Sequence, residues 1–128
     1  MKQRPFFLVL LFTTVIFLSQ AQSVKKLDPQ SFEKKFKEAK DPILIDVRTQ
    51  EEYAQGHLAN ARIFDINSSD FETRVSKLDR SKPVFVYCKA GIRSNKAANV
   101  LSGLGFNEIY DLSGGISAWH EENKPIIK

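Results

Sequence analysis

Apolar residues in this chain come in short bursts that follow two rhythms. Ile43-Leu44-Ile45, Val84-Phe85-Val86-Tyr87 and Glu108-Ile109-Tyr110 are compact runs of strand-forming residues, each followed by a turn and then by helical periodicity. Arg62-Ile63-Phe64 is a weaker run of the same kind. Buried-type strands alternating with helices argue for an α/β domain, with a mostly parallel central sheet and helices on both faces.

The helices have readable ends. In LDPQSF, Asp28 can cap the first amides, Pro29 suits the first helical position, and Leu27 can staple against Phe32, with Phe36 on the same face. Thr49 and Glu52 have capping-box spacing, and Gly56 stops that short helix. Phe71, Val75 and Leu78 form a third stripe, closed off by Ser81-Lys82-Pro83. Ala97, Leu101 and Leu104 form a fourth, with Gly103 and Gly105 as its stop. Ile116 and Trp119 suit one face of a last helix that begins after Gly114-Gly115. These apolar positions are read as core.

The N-terminus does not fit this rhythm. Lys2 and Arg4 precede a 13-residue apolar run, Phe6 to Leu18, and the small-residue exit Ser19-Gln20-Ala21 follows. This is the layout of a signal peptide. The run is about two-thirds of the roughly 20 residues a membrane-spanning helix needs. Residues 1–21 are therefore expected to be cleaved after Ala21, giving an exported chain, periplasmic or secreted, with no stable membrane span. No cysteine lies near that point to carry a thioether lipid anchor. Residues 22–128 then form one domain, with no room for a second.

Charge changes the picture little. The 128 residues carry 19 Lys and Arg against 15 Asp and Glu, and losing Lys2 and Arg4 would leave a net charge of +2. The basic residues are scattered without interleaved aromatics, which argues against a nucleic-acid partner. Cys88 and the two separated histidines, His57 and His120, do not have metal-ligand spacing, so no metal or other cofactor is expected.

The candidate chemistry lies in VFVYCKAGIRS, residues 84–94, which holds the only cysteine. An odd thiol in an exported protein implies intermolecular pairing, inert burial or a reactive sulfur. Its place favours the last, because ligand sites of parallel sheets lie beyond the carboxyl ends of the strands. If the strand ends at Tyr87 and the helix begins near Ser94 or Asn95, residues 88–93 must curl back sharply. Gly91 permits positive φ, so successive amides can turn inward as a nest around the sulfur. That nest, the helix N-terminus, Lys89 and Arg93 would favour an accessible thiolate over a thiol. Asp46, at another strand end, and Arg48 are expected to support this loop through polar bonds, as is Ser94. Glu52 is read mainly as the capping-box residue, and His57 as a structural hydrogen-bond partner.

YCKAGIRS resembles the active-site loop of the rhodanese family, whose single-domain members show a Cys-x-x-Gly-x-Arg pattern. LIDVRTQEEYAQGHLANA, residues 44–61, resembles the family's Asp-Val-Arg…Glu-Tyr…Gly-His segment, and LSGGISAW, residues 112–119, its Gly-Gly…Ala-Trp segment. The resemblance runs over about residues 27–125. It departs where many members have Pro-Gly after Gly-His-Leu; here Ala59-Asn60 follows, and a local turn change is expected.

The resemblance implies a rhodanese-like three-layer α/β sandwich and an enzyme of thiosulfate sulfurtransferase type. Cys88 would take the outer sulfur of a small anionic donor such as thiosulfate, become a persulfide, and pass that sulfur to cyanide, a thiol or a protein acceptor. The amides of Lys89, Ala90, Gly91, Ile92 and Arg93 would cradle the persulfide, and Lys89 and Arg93 would orient the donor. Such exchange at sulfur needs a thiolate and a good leaving group and no metal. Two other readings stand beside it. One is a persulfide carrier or interaction module with little small-molecule turnover. The more distant one is a cysteine phosphatase, whose Cys-x5-Arg loop is one residue longer than the six residues from Cys88 to Arg93.

Overall fold

A computed structural model describes residues 2–5, 14–15 and 24–128. The expected signal segment lies outside the described residues apart from those few positions. Among the described residues no helix is long and apolar enough to cross a membrane.

The elements run β1 (Val24–Leu27), α1 (Pro29–Glu38), β2 (Ile43–Asp46), α2 (Gln50–Gln55), β3 (Arg62–Ile63), α3 (Phe71–Val75), β4 (Val84–Tyr87), α4 (Ile92–Gly103), β5 (Ile109–Leu112) and α5 (Gly115–Glu121). The five strands form one sheet in the order β1-β5-β4-β2-β3. Every pairing is parallel. β2, β4 and β5 are buried at every position, as strands covered on both faces must be.

Alternation along these strands divides the interior into two cores. Ile43, Ile45, Val84, Val86 and Ile109 point to one face, where they meet Phe71 and Val75 of α3 and Ala97, Ala98 and Leu101 of α4. Leu44, Phe85, Tyr87, Tyr110 and Leu112 point to the other, against Phe32 of α1 and Ile116 and Trp119 of α5. Phe85 sits at the centre of that second core, edge-on to both Phe32 and Phe36 at 5.2 Å and stacked on Tyr110 at 4.8 Å. This is the α/β three-layer sandwich the strand pattern implies.

The local signals act where the sequence places them. Asp28 Oδ1 accepts from Ser31 N at 2.8 Å, with Pro29 opening α1. Thr49 and Glu52 close a reciprocal capping box. Asn60, at φ 69°, takes the left-handed conformation that a glycine at that turn would take, which its short polar side chain tolerates. Some boundaries differ from the sequence reading, and α3 ends at Val75, short of Leu78. β5 starts and ends later, at Ile109–Leu112, and Gly103 is the last residue of α4 rather than its stop, the left-handed turn falling at Gly105. β1 was not expected: VKKL exposes both lysines and lies at the sheet edge, so it carries no buried-strand signature.

Candidate active site

The chain leaves β4 at Tyr87, beside the point where strand order reverses, since β3 lies beyond β2 on one side and β5 beyond β4 on the other. Cys88 follows at once. Its thiol is in a tight ring: Gly91 N donates to Sγ at 3.1 Å, and Sγ lies 3.4 Å from Ser94 Oγ as donor. Gly91 makes the turn at φ 104°, and α4 starts directly after it, at Ile92 rather than near Ser94 or Asn95. Ser94 is therefore in the first turn of the helix with its side chain directed back under the sulfur.

Cys88 is not the exposed thiol that the sequence reading anticipated. It is 1% exposed and packs with the α3–α4 core. The loop's other wall is the β5–α5 turn. Ile116 N donates to the Cys88 carbonyl at 2.9 Å and Ser117 N to the Lys89 carbonyl at 3.0 Å. Gly115, at φ 60°, makes that approach possible, because a Cβ there would overlap the Lys89 and Cys88 carbonyls. The Gly-Gly pair thus seats the cysteine loop, a role that reading it only as a helix start missed.

The two cations of the loop differ. Arg93 makes a two-pronged pair with Glu52 of α2, Nη1 to Oε1 at 2.7 Å and Nη2 to Oε2 at 3.0 Å. Its pKa is raised by these hydrogen bonds, and Glu52 is pulled down to about 2, first by Arg93 and then by the Thr49 cap. Glu52 is thus more than a capping residue: it fixes Arg93 beside the ring and offsets its charge. Lys89 has no such fixed role and lines an adjoining cleft of about 620 Å³ with Arg48, Glu52, Ser117, His120 and Lys124.

Asp46 and Arg48 hold each other. Arg48 Nε and Nη2 reach the Asp46 carboxylate at 3.0 and 2.7 Å, and Nη2 also donates to the Gly56 carbonyl at 2.7 Å. Burial works against the Arg48 charge, but the hydrogen bonds and charge of Asp46 outweigh it and its pKa rises. Tyr87 Oη donates to Asp46 at 2.7 Å and accepts from Leu58 N at 3.1 Å, and burial with the Asp46 charge pushes its pKa far up. This network ties the ends of β2 and β4 to the α2–β3 turn. Its bonds run to Gly56 and Tyr87 rather than to residues 89–93. His57 Nδ1 lies 2.9 Å from the Tyr53 carbonyl, with its ring stacked on Tyr53.

One buried charged residue of the sheet was not singled out from sequence. Asp111 of β5 is 2% exposed, and among the described residues its Oδ1 has no hydrogen-bond partner. Nothing in the string marks it, because its neighbours come from β1, β4 and α4. Among the described residues no group of three or more His, Cys, Asp and Glu side chains is placed to hold a metal ion.

Comparison with known proteins agrees with this architecture. Residues 28–122 match the model of the rhodanese-like domain. The chain is 37% identical over 86 residues to the thiosulfate sulfurtransferase GlpE of Shewanella oneidensis, covering 67% of this chain and 83% of that protein. It is 31% identical over 104 residues to a sulfurtransferase of Allochromatium vinosum, covering 81% and 95%. The crystal structure of a rhodanese-related protein from Thermoplasma volcanium superposes with a TM-score of 0.70 at 31% identity, over 80% of this chain and 97% of that one. The solution structure of a polysulfide-sulfur transferase homodimer from Wolinella succinogenes gives 0.67 at 33% identity, over 81% and 78%. With the family model spanning most of the chain and the same fold found around it, the protein belongs to the rhodanese-like family.

Proposed function

We propose that the protein moves a sulfane sulfur from a small anionic donor such as thiosulfate to a thiophilic acceptor through a persulfide on Cys88. Sulfur transfer is the general chemistry of the family and of the relatives named for it. The observation that carries the finer reading is the ring around Sγ, in which the Gly91 amide points at the sulfur from 3.1 Å at the start of a 12-residue helix. A backbone donor and a helix N-terminus favour negative charge at that point, whether on a thiolate or on the outer atom of a persulfide.

In the first half-reaction the Cys88 thiolate attacks the outer sulfur of thiosulfate. The Sγ–S bond forms, the S–S bond of the donor breaks, and sulfite leaves with the bonding pair. In the second, cyanide or a thiolate attacks the outer persulfide sulfur and the Cys88 thiolate is the leaving group. Burial fits this division of labour. Sγ lies at the floor of the ring, and the added sulfur projects about 2 Å farther toward the mouth, where an acceptor can reach it.

Thiosulfate:cyanide turnover with wild type and Cys88→Ala tests the reading, together with intact mass after thiosulfate treatment. Turnover and a mass gain of one sulfur in wild type, both absent in Cys88→Ala, are expected. Turnover that survives in Cys88→Ala would eliminate the covalent route. Ile92 favours the carrier reading as the second one: this large apolar residue is 83% exposed beside the loop, where a docking protein would meet it. A persulfide mass without small-molecule turnover would select that reading.

A further inference from the structure

The cleft onto which Lys89 opens, about 620 Å³, is in the size range of pockets that hold whole organic ligands. Thiosulfate or cyanide would fill only a small part of it. It abuts the cysteine loop, because Ile116 and Ser117, whose amides donate to the Cys88 and Lys89 carbonyls at 2.9 and 3.0 Å, both line it. More of its lining comes from Asn123, Lys124 and Ile126, which follow α5. That segment is pinned in place. Trp119 Nε1 donates to the Pro125 carbonyl at 2.9 Å, and His57 and Ile127 exchange two backbone hydrogen bonds of 2.8 Å. Ile126 packs on Gly56 so closely that a Cβ there would lie 2.8 Å from its Cγ2.

The charges of the cleft do not cancel. Arg48 is matched by Asp46, and Glu52 is matched by Arg93. Lys124 is held by Glu33 at 3.1 Å with its ammonium over the Trp119 ring, but Glu33 also lies 3.8 Å from Lys37, so one carboxylate serves two lysines. Lys89 is exposed and has no ion-pair partner among the described residues. Lys89 and Lys124 thus present positive charge to a cleft whose one lining carboxylate is already taken. Fixed cations in a concave site favour an anionic occupant. Ile116 and Ile126 offer apolar contact to its carbon chain, and Ser117 and Asn123 offer hydrogen bonds.

We propose that this cleft is the acceptor subsite and that Lys89 and Lys124 select a small organic thiol bearing two carboxylates. The ring around Cys88, with its Gly91 amide and helix N-terminus, suits a small donor ion, which leaves the cleft to the second substrate. The acceptor thiolate attacks the outer sulfur of the Cys88 persulfide, and the bond from that sulfur to Sγ breaks. Cys88 leaves as thiolate, the acceptor becomes a persulfide anion, and the proton of its thiol has gone to solvent. No outside electrons are needed. This step rests on the sulfur-transfer reading, whereas binding in the cleft does not.

The test uses the tripeptide thiol glutathione, which has a carboxylate at each end, and its uncharged-end diethyl ester as acceptors from thiosulfate. The ratio of their kcat/KM values is compared in wild type, Lys124→Gln and Glu33→Gln, so that differences in intrinsic thiol reactivity cancel. Lys124→Gln should lower the ratio about three- to fivefold, the scale of one partly exposed charge pair. Glu33→Gln, which frees Lys124 from its carboxylate, should raise it by a similar factor, an effect that a merely structural ion pair would not produce. An unchanged ratio in both variants overturns the proposal. If Lys124→Gln does not fold, an unchanged or lowered ratio in Glu33→Gln overturns it equally. Backbone amide shifts of the wild type titrated with S-methylglutathione, which cannot accept sulfur, read binding apart from turnover. Saturable shifts at Lys89, Ser117, Asn123 and Lys124 are expected, and none at about 1 mM, the upper end of ordinary KM values, overturns the site. Such shifts without sulfur transfer to either thiol would support the anion site while counting against the sulfur-transfer reading.

Discussion

Glu52 serves two partners from one carboxylate: it closes the α2 cap with Thr49 and holds Arg93 41 residues away. Its pKa, lowered from 4.5 to about 2, means that the folded state binds fewer protons than the unfolded chain between those values. Its stabilisation is therefore complete above pH 4.5 and is lost as the pH falls toward 2. Glu52→Gln should cost about 1 kcal/mol at neutral pH, given the partial exposure of the pair, and should flatten the acid limb of stability in that window. Urea denaturation at pH 7 and at pH 3 measures both effects, and an equal deficit at the two pH values would contradict the argument. Asp111 has the opposite sign. Its folded pKa is raised, so stability falls as the pH climbs through the interval between the unfolded and folded values. Asp111→Asn removes that penalty and should raise stability at neutral pH by about 1 kcal/mol, with the gain closing at acid pH. A thermal midpoint unchanged at pH 7 would count against a buried, underpaired carboxyl.

At the level of elements, the cysteine loop is shaped by what it rests on as much as by its own residues. Gly115→Ala places a Cβ against the Lys89 and Cys88 carbonyls at positive φ. The α5 N-terminus must then move away from the loop, at a cost of about 2 kcal/mol or more, and sulfur transfer should fall with it. Gly103→Ala is the matched control: a Cβ there meets nothing within 4 Å, so the change should be neutral or stabilising by up to about 1 kcal/mol. Equal thermal midpoints for the two variants would undo the distinction. The same contrast explains what could be read from the string. β2, β4 and β5 were legible because strands buried on both faces are continuous apolar runs, and the Asp28 and Thr49 caps were legible because their partners are three residues away. The start of α4 was misplaced by two residues because a left-handed Gly91, rather than a capping Ser or Asp, begins it. Glu52–Arg93, the seat of Gly115 on Lys89 and the burial of Asp111 between β1 and β4 all join distant segments, and no local spacing announces them.

At the scale of the whole molecule, the active loop is central and its supports reach to the sheet edge. β4 carries Cys88 in the middle strand, β5 beside it carries Asp111 and leads into Gly114-Gly115, and β1 covers the far side of β5. That edge is held by parallel pairing from Val24–Ile109 to Leu27–Leu112 and by Ser113 N donating to the Leu27 carbonyl at 2.8 Å. Leu27 also packs against the second core. The expected cleavage after Ala21 would leave Gln22 and Ser23 ahead of β1 and keep the strand whole. A chain starting at Asp28 keeps the α1 cap but removes the strand. It should lose about 3 kcal/mol relative to one starting at Gln22, from the Leu27 contacts and the lost ladder bonds. For a domain of this size that corresponds to a drop of about 12 °C or more in thermal midpoint. The bared edge of β5, whose Ile109–Leu112 run is buried throughout in the intact sheet, should also promote self-association. Differential scanning calorimetry and sedimentation velocity on the two chains measure these outcomes. Equal midpoints and a monodisperse shorter chain would mean that β5 holds the wall of the site without its neighbour.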